Sequence, residues 1–266
     1  MKIATILGTR PEIIRLSRLI PKLDRACRHV LIHTGQNYDH RLSRIFFKQL
    51  KIRTPDYYLG VHGKTAGEQI GCVLALSERV FLKERPDRLL VLGDTNSSLA
   101  AIVAKRLGIP VFHMEAGNRC YDDRVPEEAN RRVIDHCSDI LLPYTERSRK
   151  NLLREGIPGE QIYVTGNPIF EVLQCSEAEI HRSNVLADLQ LRPNRYIVVT
   201  VHRAENVDVK ERLRQLVEAF HRLHRRYHVP IIVSTHPHPR KRLEALRIRT
   251  QGRAVRWLPP VGFFEF

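Results

Sequence analysis

Short apolar runs alternate with longer amphipathic stretches along this chain, and that alternation limits the fold more than any other feature. Strand-length runs fall at residues 2–7, 29–33, 88–92, 110–114, 140–142 and 162–164. Helical patterning is predicted between them, at 13–25, 42–50, 66–83, 97–106, 127–137 and 146–155. Strands that alternate with helices point to a parallel sheet covered on both faces, and strands buried on both faces read as unbroken apolar runs. The pattern then restarts, with strands at 196–200, 230–234 and 255–257 and helices at 209–227 and 243–249. The polar stretch 173–194 is ambiguous, and the connection is placed near its start. The expectation is an α/β protein with a Rossmann-like domain over 1–170 and a partial Rossmann-like domain over 171–266.

Such a sheet binds ligands outside the carboxyl ends of its strands, so the residues after each strand carry the functional reading. Gly8-Thr9-Arg10-Pro11-Glu12 follows the first strand and opens a helix. Glycine permits the tight turn, free N–H groups at the helix start favour an anion, and Arg10 adds a rigid cationic fork. Thr34-Gly35-Gln36-Asn37-Tyr38-Asp39, Gly93-Asp94-Thr95-Asn96 and Glu115-Ala116-Gly117-Asn118-Arg119 follow the next strands. In the second half come His202-Arg203-Ala204-Glu205-Asn206 and Thr235-His236-Pro237-His238-Pro239-Arg240. Each turn alone is a weak signal, and the plain account of Glu127 and Arg131 is an i,i+4 ion pair. Repetition of acids, arginines and histidine at one edge is the stronger signal. None of the turns has dinucleotide-fold or P-loop spacing. Crowded, buried carboxyls at Asp94, Glu115 and Glu127 would have raised pKa values suited to proton shuttling. Arg10, Arg131 and His202 could hold a phosphate or stabilise it as a leaving group.

Composition narrows the alternatives. The formal charge is +15, from 44 Lys and Arg against 29 Asp and Glu. The basic residues are scattered, often at helical positions such as Arg212, Arg214 and Arg222, and no aromatic-interleaved basic stretch occurs. That favours a solvated surface over a nucleic-acid face. The five cysteines are odd in number and form no CxxC pair, which argues against a disulfide framework and against a metal site of zinc spacing. No apolar run approaches the roughly 20 residues needed to span a bilayer, and the N-terminus reads as a buried strand rather than a secretory leader. A cytoplasmic protein without membrane contact is expected.

Eight motifs then fall into a known order: GTRPEIIRL (8–16), TGQNYD (34–39), VLGDTNS (91–97), HMEAGNR (113–119), PEEANRR (126–132), TGNP (165–168), VHRAEN (201–206) and STHPHPR (234–240). Together they resemble the non-hydrolysing UDP-N-acetylglucosamine 2-epimerase family over nearly the whole chain. The tight segment HMEAGNRCYDDRVPEE (113–128) is similar to the branch that makes UDP-N-acetyl-L-fucosamine from UDP-2-acetamido-2,6-dideoxy-L-talose. UDP-N-acetylglucosamine remains an alternative substrate. The resemblance implies a GT-B-like pair of Rossmann-type domains and C2 inversion by loss and re-addition of UDP through a glycal. It implies no nicotinamide, other cofactor or metal. It also implies a role in surface polysaccharide synthesis, and a homodimer if the fold is complete.

Residue by residue, the resemblance makes Asp94, Glu115 and Glu127 the acid/base carboxylates and places Arg131 and His202 near the diphosphate and sugar. Arg10 matches a nucleotide-binding arginine, and Gln36, Arg119 and His236 are further substrate-binding candidates within the quoted motifs. Arg15 stands where most members carry lysine, which keeps the charge but changes reach and donor geometry. Family members continue past Gly262–Phe266, so the second domain is expected to be incomplete. About 95 residues follow the boundary, where a Rossmann-type domain needs roughly 150. A shortened chain, an interrupted reading frame or a fragment completed by a separate chain would each account for that end.

Overall fold

Valine, isoleucine and leucine dominate the strands because both faces of the first sheet are covered, leaving Ile6, Leu7, Leu31, Ile32, Leu89 and Leu92 essentially inaccessible to water. A computed structural model describes residues 1–35, 40–201, 209–235, 243, 252, 254–259 and 261–266. The chain divides into two units, Met1–Cys175 and Ser176–Phe266.

In the first unit the strands are β1 (Lys2–Leu7), β2 (Arg28–His33), β3 (Tyr57–Tyr58), β4 (Arg88–Leu92), β5 (Val111–Met114) and β6 (Ile140–Leu142). They form one sheet in the order β3-β2-β1-β4-β5-β6, parallel throughout. This is the Rossmann strand order. The helices are α1 (Arg10–Leu16), α2 (Leu19–Ala26), α3 (His40–Gln49), α4 (Ala66–Glu84), α5 (Ala100–Arg106), α6 (Pro126–Cys137), α7 (Glu146–Arg154) and α8 (Ile169–His181), which runs past the unit boundary. Val73, Val80 and Phe81 of α4 and Ala100, Ala101 and Ala104 of α5 pack with Ile6, Ile32, Leu89 and Val91 into one core.

Two local expectations change, and one strand is unexpected. The helix predicted over 13–25 is two helices. Pro21 lacks an N–H, and its ring would clash with the carbonyl of Ser17. The helix therefore stops at Leu16 and restarts at Leu19, which leaves the proline in a first turn where it is tolerated. The strand predicted at 162–164 reduces to a single parallel bridge between Leu141 and Ile162. Ile162 is buried, but Tyr163 and Val164 are exposed, so this segment flanks β6 without burying a second side chain. The two-residue edge strand β3 is too short to announce itself.

In the second unit α9 (Val185–Asp188), β7 (Ile197–Val201), α10 (Lys210–Tyr227), β8 (Ile231–Thr235) and β9 (Val255–Leu258) occur in that order. The strands form a parallel sheet in the order β7-β8-β9. Leu213, Val217 and Phe220 of α10 are buried; their i, i+4, i+7 spacing makes one apolar stripe. The unit's core is Val201, Phe220, Ile231, Val233 and Val255, with Trp257 packed against it. The helix predicted over 243–249 lies outside the described residues except for Leu243. No described helix is long and apolar enough to cross a membrane.

Candidate functional site

The strand order reverses direction between β1 and β4, so the crevice of the first unit opens beside the loops that succeed those strands. Close packing joins the loops. A methyl group on Gly8 would sit 2.1 Å from Thr34 Oγ1 and 2.3 Å from Ser97 Oγ, two hydroxyls that hydrogen-bond to each other at 2.7 Å. Any side chain there would have to displace this buried hydroxyl pair. Glu12, fully buried, accepts hydrogen bonds from the backbone N–H of Gly8 (2.9 Å) and Thr9 (2.7 Å) and from the Thr95 hydroxyl (2.9 Å). One carboxyl thus caps α1 and ties the β1 loop to the β4 loop.

Burial pushes the Glu12 carboxyl up to about 7, against the opposing pull of those hydrogen bonds. Its folded value lies above its unfolded one, so its favourable contribution is complete below about pH 4.5 and is lost as pH rises through about 7. The difference amounts to about 3 kcal/mol. In Glu12→Gln that dependence disappears. Urea melts at pH 4.5 and 7.5 should show wild-type stability falling relative to the variant by roughly that amount, and parallel pH trends would refute the assignment.

Glu115 lies just after β5 in the left-handed backbone region, with φ 68°. A non-glycine residue held there is strained, a condition common at functional positions. Its carboxylate receives the Arg15 guanidinium from α1 and, at 3.1 Å, the Asn118 side-chain amide. Burial raises the Glu115 pKa; the Asp94 charge raises it further, while Arg15 and His113 oppose. Asp94, after β4, is held by Arg131 of α6 through Nε at 2.8 Å and Nη2 at 2.7 Å. Arg131 reaches Glu128 through Nη1 at 2.8 Å. Asn130 donates to the Asp94 carbonyl at 2.9 Å and to Asn96 Oδ1 at 3.1 Å. The amino-terminal turns of α6 are thereby fixed to the β4 loop.

Behind the Glu115 turn lies a buried charge network. Asp135 takes His113 Nδ1 at 2.8 Å, Arg119 Nη1 at 2.8 Å and the Gly117 N–H at 3.1 Å. The second nitrogen of His113 lies 3.0 Å from the Gly93 carbonyl oxygen. Arg119 also donates through Nε to Glu155 at 2.7 Å. Gly117 has φ 75°, and a methyl group there would meet the Ser148 carbonyl oxygen at 2.3 Å. The turn that presents Glu115 is therefore set by its own backbone and by charges beneath it.

Comparison with known proteins fits this geometry. The family model for UDP-N-acetylglucosamine 2-epimerase matches residues 22–266. The chain belongs to this family. It is 42% identical to the UDP-N-acetylglucosamine 2-epimerase of Methanocaldococcus jannaschii, covering 100% of this chain and 75% of that protein. It is 38% identical to the UDP-2,3-diacetamido-2,3-dideoxy-D-glucuronate 2-epimerase of Pseudomonas aeruginosa, covering 100% and 74%. The crystal structure of the M. jannaschii enzyme in complex with UDP-GlcNAc and UDP superposes with a TM-score of 0.92 at 41% identity, again over 100% of this chain and 75% of that one. Epimerases are isomerases, so this is a family of enzymes. The α/β fold is of the GT-B-like, Rossmann-type class expected, and this chain spans about three quarters of the length of these relatives.

Among the epimerase motifs, the structure gathers Arg15, Asp94, Glu115 and Arg131 at one edge of the first sheet. Arg10 opens α1 beside them, its guanidinium 5.9 Å from the centre of the Phe46 ring, and burial lowers its pKa. Glu127 is exposed in the first turn of α6, and no ion pair to Arg131 forms. Arg131 is directed instead to Asp94 and Glu128, so the i,i+4 reading is corrected. Arg119 is also corrected. Its guanidinium has no exposed surface and is enclosed by Asp135 and Glu155, so a substrate cannot reach it in this arrangement. Gln36, His202 and His236 lie outside the described residues. Sequence reasoning quotes Glu12, Asn118 and Glu128 within its motifs without giving them a role, and passes over Asp135 and Tyr144. The Thr9-x-x-Glu12 capping box, with Pro11 inside it, is the one local signal for Glu12.

Proposed function

We propose that this chain inverts C2 of a UDP-N-acetylamino sugar by eliminating and re-adding UDP. A carboxylate removes the C2 proton as the C1–O bond to UDP breaks, giving a C1=C2 glycal. A proton is then returned to the opposite face, and UDP re-forms the C1–O bond. Redox state is unchanged throughout, so the steps need no nicotinamide. The observation that carries this reading is the coupled pair Glu115 and Asp94 at the ligand edge, each matched by an arginine. Burial that raises the Glu115 pKa brings a carboxyl closer to the range useful for proton transfer near neutrality. Asp94, Glu115 and Glu127 are assigned to acid/base work, with Arg131 and His202 at the diphosphate and sugar. Arg10, Arg15, Gln36 and His236 are assigned to substrate binding.

For the sugar, we favour UDP-2-acetamido-2,6-dideoxy-L-talose going to UDP-N-acetyl-L-fucosamine, on the route to a surface polysaccharide. Arg15 in place of the usual lysine and the short 113–128 segment support that choice. The names of the relatives favour a second substrate, UDP-N-acetylglucosamine, going to UDP-N-acetylmannosamine. A cytoplasmic homodimer completes the proposal. Incubation of the purified protein with each UDP-sugar in D2O should place deuterium at C2, faster with the preferred substrate, as read by proton NMR. Lack of exchange with either sugar overturns the activity. Sugar transfer to an acceptor without exchange would indicate a glycosyltransferase instead.

A further inference from the structure

Tyr144 has no part in the chemistry above, yet it lies against the residues that do. It comes just after β6, whose Leu142 carbonyl accepts the Glu115 N–H at 3.1 Å, so the two strand ends are held side by side. The Arg15 guanidinium lies 6.0 Å from the centre of the Tyr144 ring. The Tyr144 hydroxyl is buried and has no hydrogen-bond partner among the described residues. Burial pushes the phenol pKa up, the Glu115 charge adds to this, and Arg15 opposes it.

We propose that Tyr144 is a positioning residue whose ring holds the Arg15 guanidinium in place against Glu115. Arginine stacks on aromatic faces as lysine does not do with the same planarity. The tyrosine thereby suits the arginine found at position 15. The groups that face Glu115 come from four elements: Arg15 on α1, Asp94 after β4, His113 on β5 and Tyr144 after β6. Of these, Arg15 is the flexible side chain, and it is the one the ring restrains. Released from the ring, it would spend less time against the carboxylate, and the Glu115 pKa would rise.

The inference rests on the proposed chemistry only for its consequence, so its test does not use turnover. The Glu115 carboxyl is titrated by carbon-13 NMR, assigned by its loss in Glu115→Gln. Tyr144→Leu should move the midpoint up by about one unit, while Tyr144→Phe should leave it within about 0.3 unit. In an Arg15→Met background, where there is no guanidinium to hold, Tyr144→Leu should have no further effect. Tyr144→Met replaces leucine if that variant lowers the melting temperature. A downward shift in Tyr144→Leu would mean that the ring only shields Glu115 from water, and would overturn the proposal. Equal shifts in the Phe and Leu variants would give the role to the hydroxyl and overturn it too. If all variants titrate as expected but no sugar shows C2 exchange, the positioning role stands and the epimerase reading fails.

Discussion

Glu115→Gln reduces deuterium exchange at C2 by roughly a thousandfold, within the range a positioned acid or base contributes, while the fold survives. The substitution keeps the side chain's shape and the φ of 68° that the position already tolerates. It removes the one property the proposed reaction needs, the capacity to take and return a proton. Some stability is lost as well. Arg15 and Asn118 both donate to this carboxylate, and an amide offers only one acceptor oxygen, so one donor is left facing an N–H group. Loss of such a contact costs about 1–3 kcal/mol, small enough for circular dichroism to report a folded protein. Exchange within tenfold of wild type in a folded variant would remove Glu115 from the chemistry. Unfolding would show instead that the carboxylate chiefly serves the architecture.

Much of this architecture can be read from sequence because the first sheet is buried on both faces. Residues 2–7 and 88–92 are strands with no residue misplaced, since an unbroken apolar run bounded by a polar turn leaves little else to form. The same logic brings Asp94 and Glu115 to the ligand edge, because topology places the loop after each parallel strand at that edge. Helix boundaries depend on single residues, and Pro21 splits one predicted helix in two. Side-chain partners are less legible still. Glu127 and Glu128 are neighbours with the same chemistry, yet one is exposed. The other is buried, accepting the backbone N–H groups of Cys120 and Tyr121 at 3.1 and 3.0 Å together with Arg131. Helical phase decides between them, and that phase is set by where Pro126 starts α6. Arg119 sits in a motif beside Glu115 and reads as part of the site. Its partners Asp135 and Glu155 come from α6 and the end of α7, and no local pattern announces contacts of that range.

Asp135→Asn is expected to lower the stability of the protein by about 3–5 kcal/mol, because breaking a buried charge network from one side leaves the other charges uncompensated. The Arg119 side chain has no exposed surface and would keep Glu155 as its one carboxylate partner, with the Asn118 carbonyl beside it. His113, also buried, would lose the carboxylate at its Nδ1. In a unit of this size, Met1–Cys175, that loss lowers the melting temperature by roughly 10 °C. The pH dependence provides a signature that a packing defect would lack. Burial pushes the Asp135 pKa up, but His113 and Arg119 outweigh it and hold the value below the ordinary 3.8. The stability it contributes is therefore present above the unfolded pKa and lost as pH falls through the folded one. Wild type and variant should converge in acid below about pH 4 and differ most near neutrality. A gap of constant size across that range, or a loss under about 1 kcal/mol, would show that the charges beneath the turn are dispensable. The same substitution leaves one acceptor oxygen for three donors, so the Gly117 N–H must compete for it with His113 and Arg119, and the turn that aims Glu115 loosens. C2 exchange measured on the folded fraction should then fall further than the population of folded protein does, tying a buried carboxylate to the reactivity of the one above it.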